Sequence, residues 1–115
     1  MPTSILTSIK KLLGIAADYT DFDADIIMHI NSVFLVLKQL GVGPHEGFQI
    51  QDDTAVWTDF IAADNIGLVK SYMYLKVRLM FDPPTNAALL DAMKSQIAEF
   101  EWRLNVEIEP YKKGG

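Results

Sequence analysis

The sequence predicts an all-α domain, a small helical bundle of about five helices that ends in a long antiparallel pair. Three observations predict it. Apolar residues recur at helical spacing almost throughout. The apolar segments stop at glycine or proline, at Gly14, Gly41 and Pro83. A chain of 115 residues can bury one core without a metal or disulfides, and this one has no cysteine.

The first helix reads "TSILTSIKKLLG". Thr3 or Ser4 can cap it, Ile5, Leu6, Ile9, Leu12 and Leu13 form its apolar stripe, and Gly14 supplies a left-handed stop. The second opens at "TDFD", with Thr20 as N-cap and Asp23 three residues on as in an acidic capping box, and runs to Leu40. Its core face is Phe22, Ile26, Ile30, Val33, Phe34, Leu37 and Leu40, within about 120° of arc. A Gly-rich loop over 41–52 leads to a short third helix capped by Asp52 or Asp53, carrying Val56, Trp57, Phe60 and Ile61. The fourth helix starts near Asp64–Asn65 and ends at Phe81, because Asp82 precedes proline and Pro83 lacks an N–H. The fifth runs from about Thr85 to Asn105, capped either by Thr85 or by Asp82 with Pro83 at its first position. Residues 1–105 are expected to be the domain and 106–115 a short flexible tail.

Composition narrows the function. Fifteen acids against ten bases give a net charge of −5, with little overall pull toward nucleic acid. Residues 1–64 hold nine acids and three bases, net −6; residues 65–115 hold six acids and seven bases, net +1. No apolar run reaches the roughly 18–20 residues a membrane span needs, and the start has no basic stretch ahead of its apolar residues, so a soluble intracellular chain is expected.

The densest polar cluster is Asp18, Asp21, Asp23 and Asp25. Its Asp-x-Asp-x-Asp run resembles the opening of a calcium loop. The sixth position is Ile26 and the twelfth Ser32, so neither the sharp turn nor the bidentate ligand is present. Negative charge at a helix N-terminus is a sufficient reason for it. His29 and His45 lack metal-ligand spacing, and no phosphate loop, nucleophile elbow or paired-carboxylate motif occurs. No catalytic, cofactor-binding or metal residue is assigned, no cofactor is expected, and an enzyme is not indicated.

Surplus apolar surface is more informative. On the fourth helix Leu68, Tyr72, Leu75 and Leu79 share one face and Ile66, Val69, Met73, Val77 and Met80 the next, together about 200° of arc. Such a helix is either central in the domain or gives one face to another chain, and Lys76 within the arc makes complete burial costly. Met28 and Leu35 line up away from the core stripe of the second helix. Trp102 lies opposite the fifth helix's stripe of Leu89, Leu90, Met93, Ile97, Phe100 and Leu104. It is either an interface residue or is covered by Ile108 or Tyr111 of the tail. Met28, Leu35, Met73, Lys76, Val77, Met80, Trp102 and Arg103 are therefore the candidate subunit or partner contacts. Lys70, Tyr74 and Arg78 form a short basic strip, too sparse for reading base edges.

The blocks "LKQLGVG" (37–43), "VWTDF" (56–60), "VKSYMYLKVRLMFDPP" (69–84) and "EFEWRLN" (99–105) resemble, in this order, the head–tail connector proteins of tailed bacteriophages. That family is also described as DNA-packaging or head-completion proteins. The resemblance implies a helical, non-enzymatic adaptor in the virion neck, assembled in the host cytoplasm. Such a protein forms a ring, twelvefold in the virion, beneath the portal protein and offers a platform to the next neck or tail protein. Double-stranded DNA passes through the lumen without being read, and no membrane is involved. Lys70, Lys76, Arg78, Asp82, Trp102 and Arg103 carry over as structural or interface positions. Lys76 and Arg78 would then pair with the acidic N-terminal half of a neighbour. The alternative is a small helical regulatory or protein-binding module, against which the acidic, apolar third helix already argues where DNA is the target.

Overall fold

The computed structural model describes the backbone over residues 3–114 and side chains over residues 3–106. Its elements are α1 (Ile5–Leu13), α2 (Asp23–Gln39), α3 (Trp57–Phe60), a 3-10 turn (Ala63–Asn65), α4 (Ile66–Phe81) and α5 (Ala87–Gly114). The fold is all-α as expected. Among the described residues the extended pairing is a single antiparallel bridge between Ser4 and Val56, where Ile5 N–H donates to the Ala55 carbonyl at 2.9 Å.

The helix ends follow local chemistry. Ser4 caps α1, its hydroxyl accepting from Thr7 N–H at 2.9 Å, and Gly14 stops it with φ 83°. α2 begins two residues later than a Thr20 cap would place it. Phe22 occupies its N-cap without a side-chain bond, and Asp23 N–H makes a backbone turn to the Thr20 carbonyl. The capping box fails because the Asp23 carboxylate goes to Lys10 instead. α3 is one turn long, and neither Asp52 nor Asp53 caps it. Asp59 reaches back to Val56 N–H at 2.9 Å, while Asp52 closes a turn on the N–H and hydroxyl of Thr54. Those two Thr54 bonds hold the Asp52 carboxyl below the usual carboxylate range.

α4 stops where the prolines dictate. α5 is capped by Asn86, whose side chain accepts from Leu89 N–H at 3.0 Å, rather than by Thr85 or Asp82. It also continues past Asn105 to Gly114. The segment "NVEIE" contains neither glycine nor proline, and Pro110 beyond it removes one ladder N–H without ending the helix. The expected mobility of 106–115 falls largely on side chains outside the described residues.

α4 is the central element, packed against α1, α2 and α5, while α2 and α5 pack chiefly on it rather than on each other. The core joins Ile5 and Ile9 of α1, Ile26, Ile30, Phe34 and Leu37 of α2, Val69, Tyr72 and Met73 of α4, and Met93, Ile97 and Leu104 of α5. The loop between α2 and α3 belongs to this core. Phe34 packs on Phe48 and Phe60 with ring centroids 5.1 and 4.7 Å apart. A Cβ at Gly43, where φ is +90°, would lie 2.3 Å from the Phe60 ring, so only glycine fits that close approach.

Buried polar groups bind the elements together. Trp57 Nε1 donates to Ser8 Oγ at 2.9 Å, and Ser8 Oγ donates to the Ile5 carbonyl, joining α3 to α1. Asn31 of α2 exchanges two bonds with the Ile50 backbone, at 2.8 and 2.9 Å, as a neighbouring strand would. Lys10 is only 2 % exposed. Its Nζ donates to the carbonyls of Ala17 at 3.1 Å and Tyr19 at 2.7 Å and pairs with Asp23 Oδ1 at 2.8 Å. The ammonium thus donates two hydrogen bonds and has a carboxylate at ion-pair distance, the condition under which a buried lysine is tolerable.

Candidate interaction surfaces

The wide apolar arc of α4 is resolved within one chain. Met73 and Val77 are fully buried, with Tyr72, Leu75 and Val69, because three helices pack around α4. Met73 and Val77, expected as contacts, are therefore core residues with no surface to offer a neighbour. Met80, near the end of α4, stays exposed, and Lys76 is half-buried. Lys76 and Arg78 lie two positions apart, about 200° around the helix. One neighbouring surface cannot take both.

The basic strip is aligned but differently used along its length. Arg78 donates to Tyr74 Oη at 3.2 Å. The two side chains, with Leu12, Leu13, Gly14 and Asp82, line a shallow groove between the C-terminal ends of α1 and α4. Lys70 lies two turns nearer the start of α4 and is half-buried.

Two apolar faces remain open. On α2, Met28 and Leu35 are each 58 % exposed beside Ala24, Ile27, Ser32 and Gln49. On α5, Trp102 is 65 % exposed, opposite the buried Met93, Ile97 and Leu104. α5 runs on as a helix, carrying Ile108 and Tyr111 along its axis; their side chains lie outside the described residues. Arg103 pairs with Glu99 on the surface at 3.0 Å. On the inner side of α5, Glu101 accepts a 2.7 Å bond from Tyr72 Oη. Burial, that bond and the Glu101 charge raise the Tyr72 pKa above the ordinary tyrosine value.

A third surface escapes the helical-wheel reading. Tyr19, Phe22 and Phe81 form a row of rings with centroids 5.6 and 5.3 Å apart, and His29 closes it 6.5 Å from Phe81. The row joins the α1–α2 loop to the end of α4, so no single periodic segment carries its signal. Lys10 was missed for a simpler reason. It lies about 100° from the centre of the α1 stripe and Leu12 only about 60° on the other side. Hydropathy favours burying the leucine, yet Leu12 is the exposed one.

Among the described residues no group of three or more His, Asp or Glu is placed to hold a metal ion. Among them, too, no helix is long and apolar enough to cross a membrane. The model of the phage connector protein family matches residues 5–111. No curated protein and no solved structure matches the chain.

Proposed function

The chain belongs to the phage connector protein family, a family of structural head–tail proteins, and on that premise we propose that it forms a closed ring in the virion neck. The ring sits beneath the portal protein, completes the DNA-filled head and receives the next neck or tail protein. The family match over residues 5–111 is the observation that carries this reading.

The exposed side chains support the manner of assembly. A head-to-tail ring needs two different complementary surfaces on each subunit. The Met28–Leu35 face of α2 and the Trp102 face of α5 are two such surfaces on helices that both pack on α4. A tryptophan largely in water opposite a complete core stripe is the kind of aromatic anchor that interface centres favour. Met80 and Arg103 belong to the margins of these contacts. The Lys70–Tyr74–Arg78 strip is assigned to the lumen, where a few bases beside DNA phosphates fix position without reading sequence.

The test is mass by light scattering across concentration, for the chain alone and with its portal protein, followed by imaging of the complex. A ring on the portal is the expected result. A monomer that ignores the portal under all conditions would overturn the proposal.

A further inference from the structure

We infer that the α1–α2 loop and the C-terminal end of α4 form a preformed docking surface for an arginine- or lysine-bearing segment of a partner protein. The inference rests on the connector reading for its setting, since the partners of a connector are other head and tail proteins.

The first observation is the aromatic row itself. Tyr19 and Phe22 are 45 % and 40 % exposed and stack onward to Phe81. Isolated exposed apolar side chains are ordinary. Three rings in contact, drawn from two separate elements, make a continuous surface. Aromatic faces and edges of this kind take guanidinium and ammonium groups well.

The second observation is charge. Asp18, Asp21 and Asp25 stand exposed beside these rings in the chain. Asp25 lies in the first turn of α2, where the helix dipole favours it, but Asp18 and Asp21 precede the helix and gain little there. The loop between α1 and α2 contains no basic residue. Lys10, which reaches it from α1, is buried and spends its charge on Asp23. Arg78 of α4, bonded to the neutral Tyr74 hydroxyl, and the exposed Lys11 of α1 keep their charges, against the exposed Asp18, Asp21, Asp25 and Asp82. The balance of the surface is therefore negative.

The third observation is rigidity. Lys10 holds the carbonyls of Ala17 and Tyr19 and the Asp23 carboxylate together from beneath. A loop that only linked two helices would not need a buried ammonium to fix its shape. Preorganisation of this kind lowers the entropy lost on binding.

A second copy of the chain is the poorer fit. The chain as a whole carries a net charge of −5, and among the described residues its exposed cations, Lys11, Lys38, Lys94 and Arg103, are scattered over three helices, with Arg103 already paired to Glu99. The partner segment is accordingly expected from a different protein.

The experiment titrates the 15N-labelled full chain with a synthetic alternating glycine–arginine peptide, using the glycine–glutamate peptide as control. Amide shifts are expected to concentrate on residues 18–22 and 80–82. The triple variant Asp18→Asn, Asp21→Asn, Asp25→Asn should weaken binding roughly tenfold, the product of three modest exposed ion pairs. Tyr19→Ser with Phe22→Ser should weaken it as well. Removing equal charge elsewhere, by Asp53→Asn, Asp64→Asn and Asp91→Asn, should leave the mapped site unchanged. Three results would overturn the inference: equal weakening by the control triple, no localised shifts, or shifts at 18–22 that grow with protein concentration in the absence of peptide. The last would make a second copy the occupant. A chain that enters phage necks yet maps no site removes this inference alone. One that maps the site but never enters necks removes the connector reading instead.

Discussion

Lys10 lies off the apolar stripe of α1 yet is buried, and the loop that follows is built around its ammonium. Removing one partner of a buried ion pair costs more than the pair contributes, because the other partner is left without compensation. Asp23 keeps about a quarter of its side-chain surface in water, which moderates the penalty. Lys10→Ala is expected to lower stability by about 3 kcal/mol in urea denaturation. Lys10→Met, which refills the space, should cost less, and adding Asp23→Asn to it should cost less than the two changes summed. Tyr72 supplies the pH signature. Its pKa is raised in the folded chain by burial first, then by Glu101. Below the ordinary tyrosine value near 10 both folded and unfolded chains keep the proton, and stability is unaffected. Above it the unfolded chain releases the proton first, so stability falls as pH rises toward the folded pKa. Denaturation curves from pH 8 to 11 should show that decline beginning near pH 10, and Tyr72→Phe should remove its share of the slope.

At the scale of elements, what the sequence discloses depends on whether the cause is periodic. The five helices, the glycine stop after α1 and the proline stop after α4 are legible because spacing and backbone chemistry are local. The caps of α2, α3 and α5 are not, since several Asp, Asn and Thr residues compete and tertiary partners choose among them. Asp23 is taken by Lys10, and Asn86 rather than Thr85 meets the α5 amides. The α2–α3 loop is the clearest case. Asn31 reads as a polar break in an apolar helix, yet it supplies both bonds that seat Ile50 in the core. Asn31→Ala should cost about 1–3 kcal/mol, since the buried Ile50 N–H loses its acceptor. Hydrogen exchange at Ile50 should accelerate more than exchange in α4. Asn31→Asp keeps the acceptor and should protect that amide better than alanine does.

For the whole molecule, the sequence reveals the presence of surplus apolar surface but not its distribution. Most of the α4 arc, Met80 apart, is consumed inside the chain because three helices surround it, a fact of packing that a wheel for one helix does not contain. Beside the Tyr19–Phe22–Phe81 row, apolar surface stays outside on α2 and α5, and those two faces make a specific expectation. Met28→Ser with Leu35→Ser, or Trp102→Ala, changes only exposed side chains, so each variant should keep its stability within about 0.5 kcal/mol. If copies join α2 face to α5 face, neither variant assembles alone, because each lacks one half of every contact. Mixed together, they retain one intact pairing: the α2 face of the Trp102→Ala chain against the α5 face of the other. That contact cannot propagate, so the mixture should stop at dimers by light scattering. A two-fold contact through Trp102 behaves differently, since the α2 variant would then pair with itself as well as the parent does. Dimers from the mixture, with none from either variant alone, identify the head-to-tail arrangement, and self-pairing by the α2 variant excludes it.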